Sequence, residues 1–170
     1  MAATWVAYAR VNFSANISLI SLFNGVGSGR VLRLREITLC NDQQAAVTGM
    51  LTHIELRRIS ACSGGSTITP LAHDSNSTAL EAEVLCRSAS TDTVGVRMRR
   101  ILWSNDEPLI TGNTIDEREC LPIYGKLWAS GEIGQKPIVL REGEGISARH
   151  TGSVAVGFVD VVLLFTDEAT

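Results

Sequence analysis

The 170-residue chain is 45% apolar and 19% charged, which places it among globular proteins and excludes a disordered, self-repelling chain. Its formal net charge of −3, from 15 basic and 18 acidic residues, gives no electrostatic footprint for nucleic acid, so no nucleic-acid partner is expected. The length suits one domain over residues 1–170, with N-terminal strands over residues 1–23.

In chain order, the first strand is predicted from Trp5 to Phe13, with Trp5, Ala7, Ala9, Val11 and Phe13 on one face. The following segment, Ile17 to Leu22, is apolar on both phases and reads as buried. Asn24-Gly25-Val26-Gly27-Ser28-Gly29 has the look of a phosphate cradle. A nucleotide fingerprint needs a helix directly after the glycines, and here a strand follows, so the stretch reads as a turn.

Arg30 to Ala61 is the centre of the pattern. Leu32 and Leu34 alternate with Arg33 and Arg35, then Ile37 and Leu39 resume the apolar row in the other phase, which predicts a bulge near Arg35-Glu36. Met50, Ile54 and Leu56 share a dry face, while His53, Glu55 and Arg57 share a wet one. With Asn41-Asp42-Gln43-Gln44 as turn chemistry, the whole reads as a long antiparallel hairpin.

A long loop then runs from Ser63 to Thr78. Strands are expected at Leu80–Cys86, Val94–Trp103, Cys120–Trp128 and Pro137–Leu140, with a turn at Arg141–Gly145 and a closing strand from about Ser153 to Thr166. Further turns are read at Ser104–Pro108 and Gly112-Asn113, and Asp116–Cys120 has room for one helical turn at most. About nine or ten strands without a substantial helix predict an all-β fold, a two-sheet antiparallel jelly-roll-like sandwich.

No stretch reaches the roughly 20 apolar residues of a membrane helix, and the N-terminus lacks the basic start of a signal peptide. The expectation is therefore synthesis in a cytoplasm, with no membrane partner. Cys40, Cys62, Cys86 and Cys120 show no C-x-x-C spacing and read as free, buried thiols. The Asn12, Asn16 and Asn76 sequons are read as coincidental in that setting.

His53, His73 and His150 are scattered, without H-x-H or H-E-x-x-H spacing. The paired-histidine motif of metal-binding cupins is missing. His73-Asp74 could form a local hydrogen-bonded pair, but nothing in the sequence points to a nucleophile for it. The acidic pairs and Arg97-Met98-Arg99-Arg100 read as solvated turns and a wet strand face. No catalytic residue, metal ligand or cofactor site is assigned, and the chain reads as a non-enzyme.

Two stretches, Val47 to Ser75 (VTGMLTHIELRRISACSGGSTITPLAHDS) and Pro137 to Gly152 (PIVLREGEGISARHTG), resemble jelly-roll structural proteins of tailed bacteriophages, especially capsid decoration (cement) proteins. The residues that carry the resemblance are Glu55, Arg57 and Arg58, then Gly64-Gly65, Pro70 and His73-Asp74. Arg141, Gly143-Glu144-Gly145 and the Ser104–Pro108 turn complete it. The similarity extends from Val31 onward and rests on turns and strand faces.

The resemblance implies a homotrimer on the capsid surface of the virion that bridges neighbouring major capsid subunits. Interaction residues are expected in the long loop and the N-terminal segment: Gly64, Gly65, Pro70, His73, Asp74 and Trp5. The alternatives are a tail, baseplate or fibre component, or a non-viral jelly-roll binding module, for example for sugars.

Overall fold

The computed structural model describes residues 2–42, 51–104, 110–111, 114–115, 124–131, 135–153 and 157–169. The strands are β1 (Ala3–Asn12), β2 (Ser18–Asn24), β3 (Arg30–Asn41), β4 (Leu51–Ser63), β5 (Ser66–Thr67), β6 (Leu71–Ala72), β7 (Val84–Ser88), β8 (Thr91–Ser104), β9 (Ile110–Thr111), β10 (Thr114–Ile115), β11 (Tyr124–Ala129), β12 (Ile138–Leu140), β13 (Glu144–His150) and β14 (Phe158–Ala169). Nine of these have five residues or more, and no described residue is helical.

They form two antiparallel six-stranded sheets, as expected for an all-β sandwich. One has the order β11-β3-β14-β1-β6, with β12 also on β3; the other has the order β5-β7-β2-β13-β4-β8. Their inner parts, β1-β14-β3-β11 and β2-β13-β4-β8, are joined by a chain that repeatedly switches sheet. This is the double Greek-key connectivity of a jelly roll. Strands β9 and β10 pair separately through Thr111 and Thr114, on either side of the expected Gly112-Asn113 turn, which lies outside the described residues.

The alternation read for β1 holds throughout: Trp5, Ala7, Ala9, Val11 and Phe13 are buried. They meet Leu32, Leu34, Ile37 and Leu39 of β3, Ile54 and Leu56 of β4, and Val159, Val161, Leu163 and Phe165 of β14 in one core. A fully buried leucine or phenylalanine of this kind contributes about 1.5–3 kcal/mol. Trp103 is also buried and Trp128 partly so.

The phase change in β3 is a bulge at Arg35. Leu164 faces Glu36 and Phe165 faces Leu34, which leaves Arg35 without a partner in the register. The extra residue returns Ile37 and Leu39 to the core side, as the two-phase pattern predicted.

The expected hairpin is corrected. Strands β3 and β4 both exist, but β3 pairs with β14, β11 and β12, and β4 pairs with β13 and β8 in the other sheet. Their dry faces oppose each other across the core. Period-two alternation reports which face a strand buries, and backbone pairing leaves no such trace. Residues 43–50, including Met50 and part of the expected turn, lie outside the described residues.

Three further boundaries differ. The strand expected from Leu80 starts at Val84, because Val84 N donates to Glu81 O at 3.0 Å in a turn and Arg30 holds Glu81 at 2.8 Å. Between the expected Arg141–Gly145 turn and the closing strand, Ile146 and Ala148 belong to β13, a central strand of its sheet. The closing strand itself spans Phe158–Ala169. The Ser104–Pro108 turn and Asp116–Cys120 lie largely or wholly outside the described residues.

Candidate functional site

The long loop is built into both sheets. Its β5 pairs with β7 and its β6 pairs with β1, so residues 63–83 cap the same side of the two sheets. Unpaired strand edges invite foreign strands, and these two-residue pieces blunt them.

This path separates the expected interaction residues. Gly64 and Gly65 sit at left-handed φ values of 62° and 64° beside the end of β7. A Cβ on Gly65 would meet Ser88 O at 2.2 Å, so this glycine is required by close backbone packing. Pro70 is half-buried just before β6. His73 and Asp74 are exposed and line a cleft of about 350 Å³ with Ala2, Ala3, Thr4, Arg30, Asn76, Ser77, Thr78 and Asp167. The loop and the N-terminal segment therefore do converge.

Trp5 does not present its ring to solvent. It is 4% exposed, and its Nε1 donates to Asp167 Oδ1 at 2.9 Å behind the cleft. Asp167 also accepts from Ala3 N at 3.2 Å and faces Arg30 Nη1 at 3.4 Å. His73 N donates to Thr4 O, and Asp74 caps its own turn by accepting from Asn76 N at 2.9 Å.

The glycine-rich turn before β3 does hold an anion, but one of the chain's own. Gly27 N and Gly29 N donate to the two carboxylate oxygens of Glu142 at 3.2 and 2.8 Å. The strand that follows is β3, in agreement with the non-nucleotide reading.

Two polar arrangements on the outer face of the second sheet escaped the sequence reading. In the first, Asp92 Oδ2 accepts from Ser18 Oγ and Ser21 Oγ, each at 2.6 Å, while Ser147 Oγ and Ser90 Oγ lie 3.0 Å from Ser21 Oγ. A register slip in β2 passes over Leu19, which lets Ser18 and Ser21 reach the same carboxylate. Burial acts to raise the Asp92 pKa, but the surrounding serine hydroxyls outweigh it and hold the carboxyl below its ordinary value.

In the second, Glu55 is only 3% exposed, although it lies on the strand face read as wet. It accepts from Arg57 Nε at 2.6 Å and Arg97 Nη1 at 3.0 Å, with Arg100 Nε at 3.6 Å. The register passes over Met98, pairing Arg97 with Arg57 and Arg99 with Leu56, so Arg97 and Arg100 both turn to Glu55. Burial works against the ionised carboxyl, and hydrogen bonds and charge from Arg57 and Arg97 overcome it, lowering its pKa. Arg149 lies opposite Glu55 on β13 and donates to Ser18 Oγ at 3.2 Å, linking the two arrangements.

Among the described residues, strand β8 is the outer strand of its sheet. Along it Val94, Val96, Met98 and Leu102 are 41%, 74%, 40% and 59% exposed. Cys40, Cys62 and Cys86 are free, as expected, but only Cys86 is buried, Cys40 and Cys62 being half-buried, and Cys120 lies outside the described residues. Among the described residues, no group of three His, Cys, Asp or Glu side chains is placed to hold a metal ion. No described helix is long and apolar enough to cross a membrane.

Comparison of the chain with protein families, with curated proteins and with solved structures finds no match.

Proposed function

We propose that this chain is a non-enzymatic structural subunit of a tailed-phage virion, a decoration protein that binds the major capsid protein and bridges its neighbouring copies as a homotrimer. The observation that carries the reading is the β8 edge. It is 14 residues long and exposes Val94, Val96, Met98 and Leu102, interleaved with Arg97, Arg99 and Arg100, while the opposite side of the sandwich is capped by β5 and β6. A long outer strand with exposed apolar side chains is a liability in a solitary protein and an asset where another chain covers it. The major capsid protein is the partner assigned to this edge. The resemblance of Val47–Ser75 and Pro137–Gly152 to decoration proteins supports the same role, and the cleft formed by His73, Asp74 and the N-terminal residues supplies a second surface for contacts within the trimer.

The test is the copy number of the chain in purified particles relative to the major capsid protein, by quantitative mass spectrometry. A near-stoichiometric ratio is expected. A few copies per particle would move the protein to the tail or portal vertex, and absence would overturn the virion reading. A Val96→Lys, Met98→Lys double variant is expected to fold and to lose capsid binding.

A further inference from the structure

We infer that the cleft above Glu55 is a binding site for a small oxyanion carrying two or more negative charges, of the phosphate or polycarboxylate class. This goes beyond the virion reading: it shares only Val94 with the exposed apolar side chains of β8, rests on the arginines of the outer face and needs no capsid.

The cleft encloses about 380 Å³ and is lined by Asn16, Glu55, Arg57, Val94, Arg97, Arg100, Arg149 and Thr151. Three guanidinium groups lie within 4 Å of the Glu55 carboxylate, and a fourth, that of Arg149, lines the same cleft beside Ser18 and Asp92, in a chain whose overall charge is negative. One buried carboxylate needs about one cation to offset its charge, and further cations at the same place repel one another. Among the described residues, Glu55 is the only carboxylate within ion-pair distance of Arg57, Arg97 or Arg100. The surplus positive charge is left facing the open side of the cleft.

The donors are also held in place. Arg57 is fixed from both ends, by Glu55 and by Gly95 O at 3.3 Å. Arg149 is steadied by Ser18, which Asp92 in turn holds. Guanidinium groups present several N–H donors in a planar fork that matches oxyanion geometry. Asn16 lines the same cleft at a left-handed φ of 53°, and Asn is a residue that tolerates this conformation while offering a side-chain amide. Glu55 then serves as the internal counter-ion that keeps the arginines gathered when the cleft is empty.

Calorimetric titration at low ionic strength with inorganic phosphate, and separately with citrate, tests the proposal. Sodium chloride at matched ionic strength controls for simple screening. Saturable binding of about one equivalent is expected, and the stronger of the two ligands separates the phosphate source from the carboxylate source. In an Arg100→Gln, Arg149→Gln variant the Kd is expected to rise by about tenfold or more, a loss of about 1.4 kcal/mol. Glu55→Gln is expected to act in the opposite direction and tighten binding, because it removes the competing internal anion. Should Glu55→Gln fail to fold, Arg149→Gln alone carries the test, since Arg149 makes no ion pair with Glu55 within 4 Å among the described residues. No saturable heat with either anion in the wild-type protein, or heats reproduced by chloride, would overturn the site.

Discussion

Asp92 Oδ2 lies 2.6 Å from Ser21 Oγ, although 71 residues separate the two in sequence. The contact ties the start of β8 to the outer face of β2, and Ser18, Ser90 and Ser147 gather around it. Asp92→Ala would strip a charged acceptor from two hydroxyls at once. A loss of about 2–4 kcal/mol in urea unfolding is expected, with Asp92→Asn retaining part of it. An alanine variant as stable as the wild type would show that the serine cluster contributes nothing.

Stability should fall with acid in two stages. His150 is fully buried: Nδ1 lies 2.8 Å from Ser14 O, Nε2 lies 2.7 Å from Thr52 Oγ1, and the ring packs edge-on against Phe13. Since a carbonyl can only accept, Nδ1 carries the proton and Nε2 accepts from the threonine hydroxyl. Burial lowers the His150 pKa below its ordinary 6.5, against a smaller raising effect of the Ser14 carbonyl.

Below about pH 6.5 the unfolded chain therefore binds a proton that the folded chain refuses, and stability drops by up to about 1.4 kcal/mol per pH unit until the folded pKa is reached. Glu55 and Asp92, both also lowered, extend the loss below about pH 4.5. Urea midpoints measured from pH 8 to 4 should show the first decline, and His150→Gln should remove it.

Gly64 and Gly65 should respond differently to alanine. Both take left-handed φ values, but a Cβ on Gly64 meets nothing closer than Thr91 Oγ1 at 3.8 Å, whereas on Gly65 it collides with the Ser88 carbonyl. Gly64→Ala should cost about 1 kcal/mol and Gly65→Ala about 2–4 kcal/mol. Equal effects in thermal melts would discount the packing role of Gly65.

The thiols should be sluggish in the folded protein. Burial, aided by the nearby Asp92 carboxylate, pushes Cys62 up to about 11, and burial, aided by Cys62, pushes Cys86 up to about 12. Only thiolates are strong nucleophiles. Iodoacetamide at pH 7.5 should leave Cys86 unmodified in native protein and label it in urea, as peptide mapping would reveal.

Much of this molecule is written in the chain. The buried row from Trp5 to Phe13, the two-sided burial of β2 and the bulge at Arg35 all follow from the spacing of apolar residues, because burying a strand face depends on the side chains that strand itself carries. The partner of each strand was decided elsewhere. Backbone N–H and C=O groups pair without regard to residue type, so β3 and β4 could look like a hairpin and yet stand in opposite sheets.

The Glu55 cleft shows the same division. The alternation of His53, Glu55 and Arg57 correctly placed Glu55 on an outward face. Only the slip at Met98 and the placement of β13 beside β4 brought Arg97, Arg100 and Arg149 over it, and those contacts converted an expected solvated carboxylate into a buried one. A strand's own sequence sets the direction of its side chains; what they meet is set by the strands that tertiary packing lays beside it.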